Sequence, residues 1–80
     1  MWTEKDNSLQ ATFTFDNFTS AFAFMTEVAF VAEAQQHHPN WSNVYNQVSF
    51  KLNTHDAGDI VTDKDWDLAK AIDEVAKRYE

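Results

Sequence analysis

The sequence predicts an α+β fold, an antiparallel sheet with helices packed on one face. Three observations carry that prediction. Apolar residues alternate strictly from Leu9 to Phe15, they recur at three- and four-residue intervals through 17–35, and a helix-capping sequence opens a second amphipathic run at Thr62. Eighty residues leave room for a single domain, 1–80, with one small core.

The elements follow in order. Leu9, Ala11, Phe13 and Phe15 alternate with Gln10, Thr12 and Thr14, the two-residue period of a half-buried strand. Lys5-Asp6-Asn7-Ser8 in front of them is turn chemistry, so residues 2–15 read as a hairpin whose short first strand carries Trp2. Asp16 or Asn17 offers an N-cap to a helix over 17–35, with Phe18, Ala21, Phe22, Met25, Val28, Ala29 and Ala32 as its sheet-facing stripe. Phe24 and Val31 broaden that stripe and Phe30 lies round towards the opposite flank. One sheet cannot cover all three, and they are expected to meet a second copy of the chain in a homodimer or homotetramer.

Pro39 closes the helical region. Asn43 to Leu52 then reads as a second long strand, with Val44, Val48, Phe50 and Leu52 on one face and Tyr45, Gln47, Ser49 and Lys51 on the other. Asn46 interrupts the apolar face and needs a hydrogen-bond partner if buried. After a loop over 54–61, Thr62-Asp63-Lys64-Asp65 is a capping-box variant ahead of a helix presenting Leu68, Ile72, Val75, Ala76 and Tyr79. The predicted order is β-β-α-β-loop/short β-α.

Thirteen acidic against six basic residues give a formal charge of −7, which disfavours direct binding of nucleic acid, since a phosphate-tracking surface needs a basic stripe. The one adjacent basic pair, Lys77-Arg78, falls where it would offset a helix dipole. Without cysteine there is no thiolate catalysis, disulfide, cysteine-ligated zinc or iron–sulfur cluster. The longest apolar runs, Ala21 to Met25 and Val28 to Ala32, are too short to span a membrane or form a signal segment, so a cytoplasmic protein is expected. A single glycine excludes a glycine-rich phosphate loop.

The residues able to carry chemistry lie close together in the chain. His37 and His38 follow the first helix and His55 follows the second long strand. Imidazole both donates and accepts protons near neutrality, so the cluster suits acid-base work. A strand over 43–52 spans roughly 30 Å, so the loop over 36–42 must fold back along it if His37 is to meet His55. Glu33, four residues before His37, could orient an imidazole. Asp65 reads first as the capping partner of Thr62 and second as a site residue, while Asp56 and Asp59 read as turn hydrogen bonders. Trp41 could plug the core or wall a flat ligand. Metal binding is disfavoured, because adjacent histidines diverge on extended backbone and no helical His-Glu register is present.

The run Glu33-Ala34-Gln35-Gln36-His37-His38-Pro39-Asn40-Trp41, followed by Asn43-Val44-Tyr45-Asn46 and then by Thr54-His55-Asp56-Ala57-Gly58, resembles the pterin-4a-carbinolamine dehydratase family. The resemblance extends over nearly the whole chain, from Phe13, Phe15 and Phe18 to Thr62, Asp65 and Ile72-Asp73. It implies a hydro-lyase, 4a-hydroxytetrahydrobiopterin dehydratase, which converts 4a-hydroxytetrahydropterin to quinonoid dihydropterin in pterin recycling. His37, His38 and His55 would be catalytic, and Glu33, Trp41 and Asp65 supporting or substrate-binding. Pterin would be the substrate, with no cofactor and no metal. The resemblance also implies homo-oligomers, and a partner-binding role as a dimerisation cofactor of a transcription factor. A non-catalytic binding or assembly module on the same fold is therefore the alternative. Two departures stand out. Members commonly begin with an additional helix before the segment matching Trp2, so the resemblance implies this fold without that helix. The turn after His55 usually carries two glycines, whereas here Asp59 stands at the second glycine position and the path to Thr62 is one residue longer.

Overall fold

Asp6 and Asn7 both adopt left-handed backbone angles, φ 53° and 61°, the pair of positive values with which a two-residue turn matches the twist of its strands. In the computed structural model, which describes residues Met1 to Glu80, this turn joins β1, Thr3–Lys5, to β2, Ser8–Thr14. Leu9, Ala11 and Phe15 are buried and Phe13 partly so, as the alternation predicts. Trp2 packs on Phe13 and Phe50, and its indole N–H donates to Asp73 Oδ1 at 2.9 Å, pinning the first strand to the last helix.

The first helix, α1, runs Phe18–Gln35 and is capped by Asn17, whose side chain accepts the Ser20 amide at 2.8 Å. Its burial corrects the sequence reading. Phe24 is fully buried, stacked among Phe13, Phe15 and Phe50 with ring centroids 5.4, 4.7 and 6.0 Å away. Phe18 and Phe22 are 46% and 55% exposed instead. Ala21, Val28 and Ala32 flank Phe24 on the buried face, so a single large ring fills the space that small neighbours leave, and interiors select volume as well as apolarity. Phe24 and Val31, which packs against the core, are thereby removed from the expected subunit contact. Phe30 keeps its place there, 74% exposed.

The second correction concerns the strand expected over 43–52. It is a hairpin of β3, Asn40–Val44, and β4, Gln47–Leu52, turning at Tyr45-Asn46 with Val44 opposite Gln47. Tyr45 takes a left-handed φ of 50°, and the Asn43 side-chain amide donates to the carbonyls of Tyr45 and Gln47 at 3.1 and 2.9 Å. Asn46 finds the partner it needs. Its side chain donates to the Phe15 carbonyl, and its own carbonyl accepts the Phe15 amide, both at 2.9 Å. Val44, freed from the buried face, is 74% exposed.

The sheet is antiparallel in the order β1-β2-β4-β3. Asn40 stands opposite Lys51, so the segment entering β3 and the segment leaving β4 lie at the same end of the hairpin. An isolated bridge between Thr54 and Ile60 supplies the short β element and encloses a single 3-10 turn, His55–Ala57. The second helix, α2, covers Asp63–Ala76 and buries Leu68, Ala69, Ile72, Val75 and Ala76. Both helices contribute to one cluster of 14 buried apolar residues against the sheet. No helix is long and apolar enough to cross a membrane.

Candidate active site

Helix α1 ends on Gln36, a left-handed residue (φ 52°) whose amide donates to the Glu33 carbonyl while the His37 amide donates to that of Ala32. This paired bonding terminates a helix by reversing the chain direction. It turns His37 inwards and leaves His38 outside. The His37 side chain is 11% exposed and its Nε2 lies 2.5 Å from Asp65 Oδ1.

Asp65 is fully buried, and charge is buried only where hydrogen bonds replace water. Its Oδ2 accepts the Thr54 hydroxyl at 2.9 Å and the Thr62 amide at 2.8 Å, and the Thr54 and Thr62 hydroxyls lie 2.6 Å apart. One carboxylate therefore starts α2, holds the residue before His55, and fixes the ring of His37. The capping role expected of Asp65 is present, and the same carboxylate is the partner of His37.

The other histidines have carboxylates of their own. His38 Nε2 is 2.8 Å from Glu33 Oε1, one turn back on α1, with both side chains largely exposed. The bond from His38 and its positive charge hold the Glu33 carboxyl below its ordinary range. His55 Nδ1 is 2.9 Å from Asp59 Oδ1, and the hydrogen bond to Asp59, then the charges of Asp59 and Asp56, raise the proton affinity of this ring above the ordinary histidine value. Trp41 lies on β3 opposite Phe50, ring centroids 5.6 Å apart, and packs partly buried against the core. It serves as a core plug at the edge of the sheet, three residues from His38.

Two shallow depressions lie beside these groups, and of the three histidines only His37 lines one of them. One is lined by Gln35, His37, Lys64 and Asp67, the other by Thr54, Asp56, Ala57, Thr62, Asp63 and Lys64. Lys64 is their shared wall. The widest depression lies elsewhere, on the polar outer face of the sheet between Thr3, Gln10, Thr12, Ser49 and Lys51, and contains no histidine. No three histidine, aspartate or glutamate side chains are grouped as ligands for a metal ion.

A sequence model of the family "Pterin 4 alpha carbinolamine dehydratase" matches residues 1–75. The chain belongs to this dehydratase family. Among its relatives, proteins provisionally named pterin-4-alpha-carbinolamine dehydratase are 53% identical over 76 residues in Christiangramia forsetii, covering 95% of this chain and 77% of that protein, and 54% identical over 72 residues in Synechococcus sp. WH7803, covering 90% and 76%. The crystal structure of a transcriptional coactivator/pterin dehydratase from Brucella melitensis superposes with a TM-score of 0.89 at 36% identity, covering 94% of this chain and 81% of that one. A pterin dehydratase-like RuBisCO assembly factor of the alpha-carboxysome shares the fold, with a TM-score of 0.76 at 22% identity over 95% and 87% of the two chains.

The sequence reading expected Glu33 to orient an imidazole and Asp65 to cap the second helix, and Glu33 faces His38 while Asp65 caps α2 and faces His37. That reading missed Asp59 as a histidine partner. The available signal was spacing, since His55 and Asp59 are four residues apart across a tight turn.

Proposed function

We propose that the protein dehydrates 4a-hydroxytetrahydropterin to quinonoid dihydropterin and water by histidine acid-base chemistry, without a metal. The observation that supports this reading is that each of the three histidines is held by its own carboxylate, two of them tied through Asp65 and Thr54 at one end of the sheet. In the reaction the C4a–O bond breaks with its electron pair on oxygen, which takes a proton and leaves as water. A ring N–H loses its proton, and that electron pair closes the C=N bond. The step needs one acid and one base.

The carboxylates assign those roles. A carboxylate only accepts, so the ring nitrogen facing it carries the proton. With Nε2–H directed at Asp65, Nδ1 is the ring nitrogen of His37 left to accept a proton, and His37 serves as the base. His55, whose protonated form is favoured by Asp59 and Asp56, serves as the acid at the departing oxygen. His38, oriented by Glu33, donates to the polar edge of the pterin, and Trp41 acts from the core, packed on Phe50 at the edge of the sheet. Phe18, Phe22 and Phe30, exposed on α1, support homo-oligomers in solution.

Stopped-flow absorbance of freshly generated 4a-hydroxytetrahydropterin tests the activity. Accelerated dehydration, unchanged after dialysis against a strong chelator, is the expected result. A rate no faster than the uncatalysed one would overturn the enzyme in favour of a binding module, and loss of rate restored by zinc or iron would overturn the metal-free mechanism.

A further inference from the structure

Resting on that reading, we propose that Asp59 is a positioning residue for His55, holding Nδ1 so that Nε2 is the ring atom presented to the pterin. The geometry comes from the backbone. Thr54 is pinned on both sides of the turn, its amide donating to the Ile60 carbonyl at 2.8 Å and its carbonyl accepting the Asp59 amide at 3.1 Å. That closure sets Asp59 back beside His55, with Oδ1 2.9 Å from Nδ1.

Asp59 sits at a costly place for a side chain. It follows Gly58 (φ 93°) as a second left-handed residue, with φ 60°, a conformation in which glycine avoids the strain an L side chain meets. The pair also adds little to the fold, because the two side chains are 88% and 65% exposed and ion pairs in water contribute little. What the carboxylate does change is the ring. It selects the tautomer with the proton on Nδ1 and favours the imidazolium, as Asp65 selects the Nε2-protonated form of His37. Asp56 and Asp59 are the charged groups bearing on His55. Of these, Asp59 alone is hydrogen-bonded to it.

Asp59→Gly is the informative variant, since glycine relieves the positive φ and the turn still forms. Nitrogen NMR of the His55 ring and the pH profile of kcat are measured together, with Asp59→Glu as the conservative rescue. In Asp59→Gly the His55 titration midpoint is expected to move down, the Nδ1-protonated tautomer to lose its excess, and kcat to fall about tenfold, part of the roughly 10²- to 10⁴-fold that a positioned acid contributes. The acidic carboxylate restored in Asp59→Glu should recover part of each. An active wild type whose Asp59→Gly variant keeps its tautomer, midpoint and pH profile overturns the role of Asp59 alone. A wild type without dehydratase activity overturns the proposed reaction and the catalytic role of Asp59 with it, whatever the ring measurements show.

Discussion

At the scale of single residues, three histidine–carboxylate pairs that look alike on paper differ in what surrounds them. Asp65 is buried and satisfies Thr54, Thr62 and His37 together. Asp65→Ala is expected to cost about 3–5 kcal/mol, because it strands several buried donors at once, and urea unfolding reads that loss directly. Glu33 is largely exposed, so Glu33→Ala should move the unfolding midpoint little. Its signature is titration. Because His38 depresses the folded value of the Glu33 carboxyl, the pairing contributes above the ordinary carboxyl range and is lost as pH falls through the depressed value. Carbon NMR should place the Glu33 midpoint below 4.5 in the wild type and return it towards 4.5 in His38→Ala. His55 runs in the opposite sense. Its folded value is raised, so its pairing contributes below 6.5 and is lost as pH rises through the raised value. Sequence makes the histidines, Glu33 and Asp65 legible, since motif and spacing name them. Asp59 escapes, because a turn aspartate forms local hydrogen bonds whether or not a ring lies beside it.

At the scale of elements, period identifies what forms and volume decides how it sits. The alternation of β2 and the capping of α2 are read correctly because both depend on neighbours in sequence. The rotation of α1 does not. Seven apolar residues define a plausible stripe, yet only the fit of Phe24 between Phe13, Phe15 and Phe50 selects the buried face. Phe24→Ala is accordingly expected to cost about 3–5 kcal/mol, while Phe22→Ala, at an exposed position, should fall within about 0.5 kcal/mol of the wild type. Equal losses in denaturant unfolding would restore the original stripe. The hairpin of β3 and β4 was hidden for a different reason. Its turn has neither glycine nor proline, and the alternation of Val44, Val48, Phe50 and Leu52 keeps its phase across the two turn residues. Asn43 and Asn46 carry the information, through hydrogen bonds to carbonyls of the turn and of Phe15.

At the scale of the whole molecule, that hairpin is what gathers the candidate residues. A continuous strand would have held His37 and His55 a strand's length apart, whereas the reversal at Tyr45-Asn46 returns both segments to one end, where Asp65 bonds His37 and Thr54, the residue before His55. The exposed aromatic shoulder of α1 belongs to the same scale. Sedimentation equilibrium at micromolar concentration is expected to show a dimer or tetramer, and Phe22→Glu with Phe30→Glu to shift it to smaller species; a monomer throughout would contradict that. The central claim is narrower: imidazoles brought to one end of the sheet perform the dehydration. Single-turnover kinetics of His37→Ala and His55→Ala with 4a-hydroxytetrahydropterin test it most directly. Each variant should lose about 10²-fold or more in rate while remaining folded, and variants that retain the full wild-type rate would contradict the account.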